Sequence, residues 1–356
     1  MSCFGTTASC KNFFSAIFKK VKAPFLNLRR RFRKNNEGPS TESSMATTDS
    51  SESQDEILSD YSSGVYKNET WGQVEISTST VCKFSNCFEN CWLNSTFQAA
   101  LNINIIRHKI FQMSRKAKVS SSEIPLSTEM FLTALKKPGM RFNSSDMLPV
   151  LEELSKFKPE LRLMSPNDPA DFAEPFLEWL NACGIKTKLQ IKCKTTCVTC
   201  KVRERTVFNQ DNLFFIAQPS ARKVSLTSLF IEAVKSVCGN KKCSTCSANV
   251  NRQISFGNVD LITLYLPRYA DADKERRYVT PPAVIEIPVY NGKYKYRLAT
   301  VICHKRQVDQ SAHYLTYISN GEVFIKANDE KISIARNEYF NNIKKDGTIF
   351  FYEKCT

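Results

Sequence analysis

The sequence is poor in histidine: 356 residues hold His108, His304 and His313 and no others. Any imidazole chemistry therefore has three candidates. Apolar runs of about eighteen residues or more are missing, which excludes a membrane-crossing helix on sequence grounds. The N-terminal stretch is not expected to be a secretory signal, since Lys11 and the pair Lys19–Lys20 interrupt its apolar run. Acid is absent from residues 1–34, which carry nine Lys or Arg. Base is nearly absent from residues 35–72, with eight acids and one Lys. That second segment has few large apolar groups, which excludes a packed core there and predicts a disordered linker.

Cysteine is plentiful, with fourteen in the chain. Without an export signal they are expected to stay reduced, and reduced cysteines serve more often as metal ligands or catalytic groups than as disulfides. The expected location is the cytoplasm, with the nucleus or a membrane surface open to the basic arm. In that arm Phe14, Phe18 and Val21 fall on one helical face beside Lys19, Lys20 and Lys22, and Pro24 ends or kinks the helix. Such an arm suits an anionic membrane or a nuclear address; it equally fits a solvated tail. The formal net charge of +15 favours acidic partners without choosing among them.

The folded region is expected from residue 73 to 356. Residues 91–113 carry a clear helical period, and a looser helical pattern continues to about residue 182. From about residue 186 the chain turns to short runs of branched and aromatic residues, such as "LITLYLP", "AVIEIPVY" and "HYLTYIS". Helices first and strands second predict an α+β fold.

In "NCFENCWLNSTFQAAL" the residues Leu93, Phe97, Ala100 and Leu101 keep helical spacing, and Asn90 is a plausible N-cap. Cys91 then lies in the first turn, where free amides and the helix dipole favour thiolate. The residues alone leave it open as a core thiol, a metal ligand or a nucleophile. A nucleophile needs a base and an orienting partner. His313 opens one strand, and Asn328 ends the next, fifteen residues on. Cys87 reads as core.

Two further signals stand apart. Cys197-x-x-Cys200 and Cys243-x-x-Cys246 are separated by forty-two residues and flanked by lysines. Two such turns can build a tetrahedral sulfur site suited to structural zinc, with Cys193 and Cys238 as alternative ligands. Reduced thiols or a redox pair remain open. In "SPNDPADFAEPFLEWLNAC" Asp168 is a good N-cap, Pro169 fits the first helical position, and Phe172, Phe176, Trp179 and Leu180 form one face.

"FSNCFENCWLNSTFQAAL" resembles the Cys box of the ubiquitin-specific proteases, GLxNxGNTCYxNSxLQ. "YRLATVICHKRQVDQSAHYLTYIS" is similar to their His box, and "VFIKANDEKIS" and "GTIFFYEK" to the segments that follow it. The resemblance covers about residues 75–355, in family order. It implies a papain-like cysteine protease fold. A helical thumb would span roughly residues 80–182 and zinc-bearing fingers about 187–262, with a β-rich palm completing the domain. It implies a deubiquitinase that hydrolyses the (iso)peptide bond after the C-terminal glycine of ubiquitin, or of a ubiquitin-like modifier, through a thioester. Cys91 would be the nucleophile, His313 the general base and later acid, and Asn328 the residue orienting the imidazole. Asp329 is a possible substitute for Asn328. Asn86 would donate to the developing oxyanion, Asp168 and Asp171 would meet the arginines of the ubiquitin tail, and His304 would be structural.

Departures from the family pattern favour a second reading, a catalytically weak or inactive ubiquitin-binding scaffold. They are Phe88 for a Gly, Glu89-Asn90 for Asn-Thr, Lys305 and Ala312 for Gly, and Phe324 for Trp. A zinc-ribbon nucleic-acid binder would leave the Cys and His boxes unexplained, so no specific nucleic acid is expected.

Overall fold

The computed structural model describes residues 76–356, apart from 117–124, 158–160, 162–164, 166, 220, 222, 240–241, 269–276, 290–291, 307–311, 322, 336–338 and 356. The basic arm and the acidic linker lie outside the described residues, so the membrane expectation does too. Among the described residues no helix is long and apolar enough to cross a membrane.

The first half is helical. After the short strand β1 (Lys83–Phe84) come α1 (Cys91–Leu101), α2 (Asn104–Lys116) and α3 (Leu126–Lys136). Strand β2 (Arg141–Phe142), α4 (Ser144–Phe157) and α5 (Pro169–Ala182) follow. The single helix expected over 91–113 is two, broken at Asn102–Ile103. Gly139 makes the turn into β2 at φ 76°, and a Cβ there would sit 2.0 Å from the Ser79 carbonyl oxygen, so only glycine fits. That turn lays β2 parallel to β1 and stacks Phe142 on Phe84 with centroids 5.0 Å apart.

Every residue of α1 is buried. One side carries Phe97, whose ring meets Phe84, Phe131, Phe172 and Phe176 within 6.1 Å. Aromatic burial of this kind contributes about 1.5–3 kcal/mol per ring. The other side faces the sheet, where the Thr316 hydroxyl donates to the Ser95 carbonyl at 2.8 Å.

The second half is one eleven-stranded sheet with two inserted helices. Its strands are β3 (Gln190–Cys197), β4 (Arg203–Asn209), β5 (Leu213–Phe215), β7 (Val250–Phe256), β8 (Leu261–Tyr265) and β10 (Val284–Val289). β11 (Gly292–Arg306), β12 (Ala312–Ser319), β13 (Phe324–Asn328), β14 (Lys331–Ile334) and β15 (Gly347–Lys354) complete it. The order is β14-β13-β12-β11-β10-β7-β3-β4, with β15 joining β11 to β8 and β5. A small separate sheet pairs β6 (Lys223–Ser225) with β9 (Tyr278–Thr280).

The helices α6 (Leu226–Cys238) and α7 (Tyr339–Asp346) correct the expectation of strands alone after residue 186. α6 is capped by the Ser225 hydroxyl and buries Leu226, Leu229, Phe230, Val234 and Cys238. These residues join the main core with Ile191, Cys193 and Phe256 of the sheet.

Carboxylates of α5 fasten the helical layer to the sheet. Asp168 caps the helix through the Ala170 amide at 2.9 Å and accepts the Tyr265 hydroxyl of β8 at 2.6 Å. Glu174 accepts from both nitrogens of Asn212 and from the Leu213 amide, at 3.1, 2.8 and 2.7 Å. Glu178 accepts from Asn212 and Lys188 at 2.9 Å each. Burial raises the Glu174 carboxyl above its ordinary range; the Asn212 and Leu213 donors oppose that rise.

Candidate active site

A closed loop delivers Cys91 to the start of α1. The Asn90 side chain was expected to cap the helix; instead it braces the loop. Its Nδ2 donates to the Ser85 carbonyl at 2.9 Å, and its Oδ1 accepts the Phe88 amide at 3.2 Å. The helix begins because the Asn90 carbonyl accepts the Leu93 and Asn94 amides, both at 3.0 Å. Phe88 takes an ordinary negative φ, so glycine is not needed there. Left-handed backbone falls instead on the exposed Glu89, at φ 52°. Cys87 is exposed rather than core: in this loop its sulfur lies 3.0 Å from the Ser85 hydroxyl.

Cys91 is buried, at 3% exposure. The expected preference for thiolate is reversed. Burial pushes the thiol up to about 11, and the charge of Asp329 adds to that rise. The amides of Tyr314, Trp92 and Cys91 pull the other way and are outweighed. The Tyr314 amide belongs to the residue after His313, so α1 meets β12 where the imidazole is carried.

His313 and Asn328 come together as their strand positions predicted. β12 and β13 are antiparallel neighbours, and His313 Nε2 lies 2.5 Å from Asn328 Oδ1. A carbonyl oxygen only accepts, so this contact places the ring proton on Nε2 and leaves the Nδ1 lone pair for another proton. Lys305, at a family glycine position, is the cross-strand partner of His313. His304 is buried with its ring 4.9 Å from that of Tyr314, a packing position.

Asp329 follows Asn328 in the turn into β14. Its Oδ2 is 3.7 Å from His313 Nε2, farther than Asn328. Asn86 donates from Nδ2 to that same oxygen at 3.0 Å, so the carboxamide is tied to the turn after the imidazole's partner. Asn94 and Gln98 stand at fixed positions of the Cys box, but no role was expected of them; both also reach Asp329. Their signal was a row of carboxamides at Asn90, Asn94 and Gln98, one helical turn apart within an apolar helix.

The expected helix after Asp168 is present, with Phe172, Phe176, Trp179 and Leu180 buried. Asp168 has both oxygens engaged, and Asp171 is half-buried in the first turn.

The two CxxC turns meet at the far end of β3 and the approach to β7. The four sulfurs of Cys197, Cys200, Cys243 and Cys246 lie within 4.8 Å of one another. The sulfur–sulfur separations are 3.4 Å for Cys197–Cys246, 3.4 Å for Cys200–Cys243 and 3.6 Å for Cys200–Cys246. A tetrahedron of ~2.3 Å zinc–sulfur bonds has edges of about 3.8 Å, so the cluster fits a four-sulfur metal site. The Thr199 and Cys200 amides point at the Cys197 sulfur, at 3.3 and 3.4 Å. Desolvation opposes ionisation of Cys197, but those amides and the neighbouring thiols bring it down to about 6. Cys193 and Cys238 are not part of the cluster. They face each other in the main core, where burial pushes Cys238 up to about 11.

A family model of ubiquitin carboxyl-terminal hydrolases matches residues 82–352. Ubiquitin carboxyl-terminal hydrolase 14 of Saccharomyces cerevisiae is 27% identical over 140 residues, 37% of this chain and 17% of that protein. The chain thus spans well under a fifth of that curated relative. Among solved structures, the Ubp8/Sgf11/Sus1/Sgf73 SAGA DUB module bound to monoubiquitin is similar at a TM-score of 0.59 and 15% identity, covering 79% of this chain and 71% of that one. The same module bound to ubiquitin aldehyde gives 0.60 and 17%, covering 80% and 71%. These likenesses show the fold, helices against a mixed sheet with a four-cysteine cluster at one end. With three quarters of its length matched in a single span, the chain belongs to the ubiquitin carboxyl-terminal hydrolase family.

Proposed function

We propose that the chain is a cysteine-dependent deubiquitinase that cleaves the (iso)peptide bond after the C-terminal glycine of ubiquitin. One observation carries the reading: the Cys91 sulfur lies under the amide next to His313, whose ring is held by Asn328 at 2.5 Å. The solved relatives named above are bound to monoubiquitin and to ubiquitin aldehyde, which supports ubiquitin as the partner.

Because burial keeps Cys91 protonated, the thiolate is made at the moment of attack. His313 takes the Cys91 proton at Nδ1, and Asn328 steadies the imidazolium from the other nitrogen. The sulfur adds to the glycine carbonyl carbon. The oxygen gains the charge and is met by the Cys91 backbone N–H at the helix start and by the Asn86 amide. One such donor lowers the barrier by about 3–4 kcal/mol. The tetrahedral adduct collapses, the C–N bond breaks, and the imidazolium gives its proton to the leaving amine. A thioester remains. Water then attacks it with His313 as base, releasing the ubiquitin carboxylate and restoring the thiol. Asp168 and Asp171 are the carboxylates offered to arginines of the ubiquitin tail. The Tyr265 hydroxyl on Asp168 orients one of them.

In this reading the cluster of Cys197, Cys200, Cys243 and Cys246 holds one structural zinc. Four sulfurs fill the coordination sphere and leave no open position for a reacting water.

The test is a ubiquitin carrying a thiol-reactive C-terminal warhead. A covalent adduct is expected with the native chain and none with Cys91→Ala. An absent adduct from folded, metal-loaded protein supports the scaffold reading.

A further inference from the structure

We propose that Asn94 is a positioning residue of this reaction: from the second turn of α1 it holds Asp329, and through Asp329 it fixes both Asn328 and Asn86. The inference rests on the hydrolase reading above and adds a residue to it.

Asn94 is fully buried, at 0% exposure. Its Nδ2 donates to Asp329 Oδ1 at 2.7 Å and to the Ser85 carbonyl at 3.2 Å. Its Oδ1 accepts from Asn90 Nδ2 at 2.9 Å. A single side chain therefore ties the loop before Cys91 to the turn after Asn328. One turn on, Gln98 donates to the Asp329 carbonyl at 2.7 Å. Asn86 takes the other carboxylate oxygen at 3.0 Å.

Asp329 is thus gripped at both carboxylate oxygens and at its backbone. It holds φ 53°, a left-handed conformation that costs an L-residue about 1–2 kcal/mol and persists where surroundings over-determine it. The geometry also separates two roles for this acid. Its nearest oxygen is 3.7 Å from His313, while Asn328 is at 2.5 Å. Asp329 is the anchor of the turn, and Asn328 is the partner of the ring. Truncating Asn94 leaves Oδ1 of a half-buried carboxylate without its donor. The acid then turns to find another, and Asn328 and Asn86 move with it.

The test measures kcat and KM on a ubiquitin C-terminal fluorogenic amide for the native chain, Asn94→Ala, Asp329→Ala and the double variant. Asn94→Ala is expected to lower kcat by about a hundredfold with KM within about twofold, the scale of a ~1 Å misplacement at a reacting centre. The double variant should be no slower than the slower single, because both changes break one linkage. Gln98→Met provides a second variant should Asn94→Ala fail to fold, with an expected kcat loss of about tenfold at unchanged KM. Native kcat in folded Asn94→Ala, losses that multiply in the double variant, or native kcat in Gln98→Met overturns the positioning role. A native chain that never turns over the substrate overturns the hydrolase reading instead.

Discussion

Two sulfurs in this chain, one at a helix start and one in the four-cysteine knuckle, lie on opposite sides of the ordinary cysteine range. At the helix start Cys91 is pushed up to about 11, whereas in the knuckle Cys197 is brought down to about 6. Both sulfurs receive backbone amides, so donors alone do not decide the outcome. Cys91 is withdrawn from solvent, with the carboxylate of Asp329 nearby. Cys197 sits at a strand end, where two amides of its own turn converge and three more thiols gather. Within the knuckle the charge is unevenly placed: Cys197 favours the anion that a cation would share, whereas Cys200, despite the Val202 amide, is pushed up to about 12 by the neighbouring thiols. The helix start favours a neutral thiol that ionises when an imidazole takes the proton.

Three measurements would break or sharpen that contrast. The largest effect is expected from Cys243→Ala. It should take the bound metal from one per chain to none, read by elemental analysis, and abolish a folding contribution on the order of 10 kcal/mol at the knuckle. In whatever fraction circular dichroism shows still folded, alkylation of Cys91 should be unchanged; a rise in that folded fraction would show that the two sites are not independent. Next in size is the pH profile of Cys91 alkylation, followed on its own peptide by mass spectrometry. A thiol raised to about 11 gains roughly tenfold in rate for each pH unit between about 7 and 9. A plateau below about pH 8 would mean that the imidazole already holds the thiolate. The smallest effect belongs to Glu89→Gly. It relieves a left-handed backbone at φ 52° and should stabilise the chain by roughly 1 kcal/mol in chemical denaturation. Destabilisation by that change would show the Glu89 side chain to have a structural task at the loop.

What the sequence made legible was whatever local spacing encodes. The two CxxC turns, the cap and buried face after Asp168, and the strand positions of His313 and Asn328 all follow from neighbours within a few residues. What it hid depends on distant contacts. Cys193 and Cys238 lie close to the knuckles along the chain, yet sheet-to-helix packing turns both into the core. Cys87 has an apolar sequence neighbour on one side but lies on a solvent-facing loop. The proton state of Cys91 turned on burial in the folded chain, which outweighs a helix terminus readable in one dimension. Helix α6 was missed although Leu226, Leu229, Phe230 and Val234 keep helical spacing. Branched and aromatic residues there matched the strands around it.

The carboxylates along α5 bear on how the helical layer can move against the sheet. Asp168, Glu174 and Glu178 bolt one helix to β8, to β5 and to the segment before β3. A swing of the helical layer away from the sheet would break three hydrogen bonds to the Glu174 carboxylate at once. Hinge motion between the layers is therefore costly. The loop at 85–90 and the turn at 329–330 are pinned as well, through Asn94, Asn86 and Gln98, so that loop, that turn and the helical layer make one stiff frame.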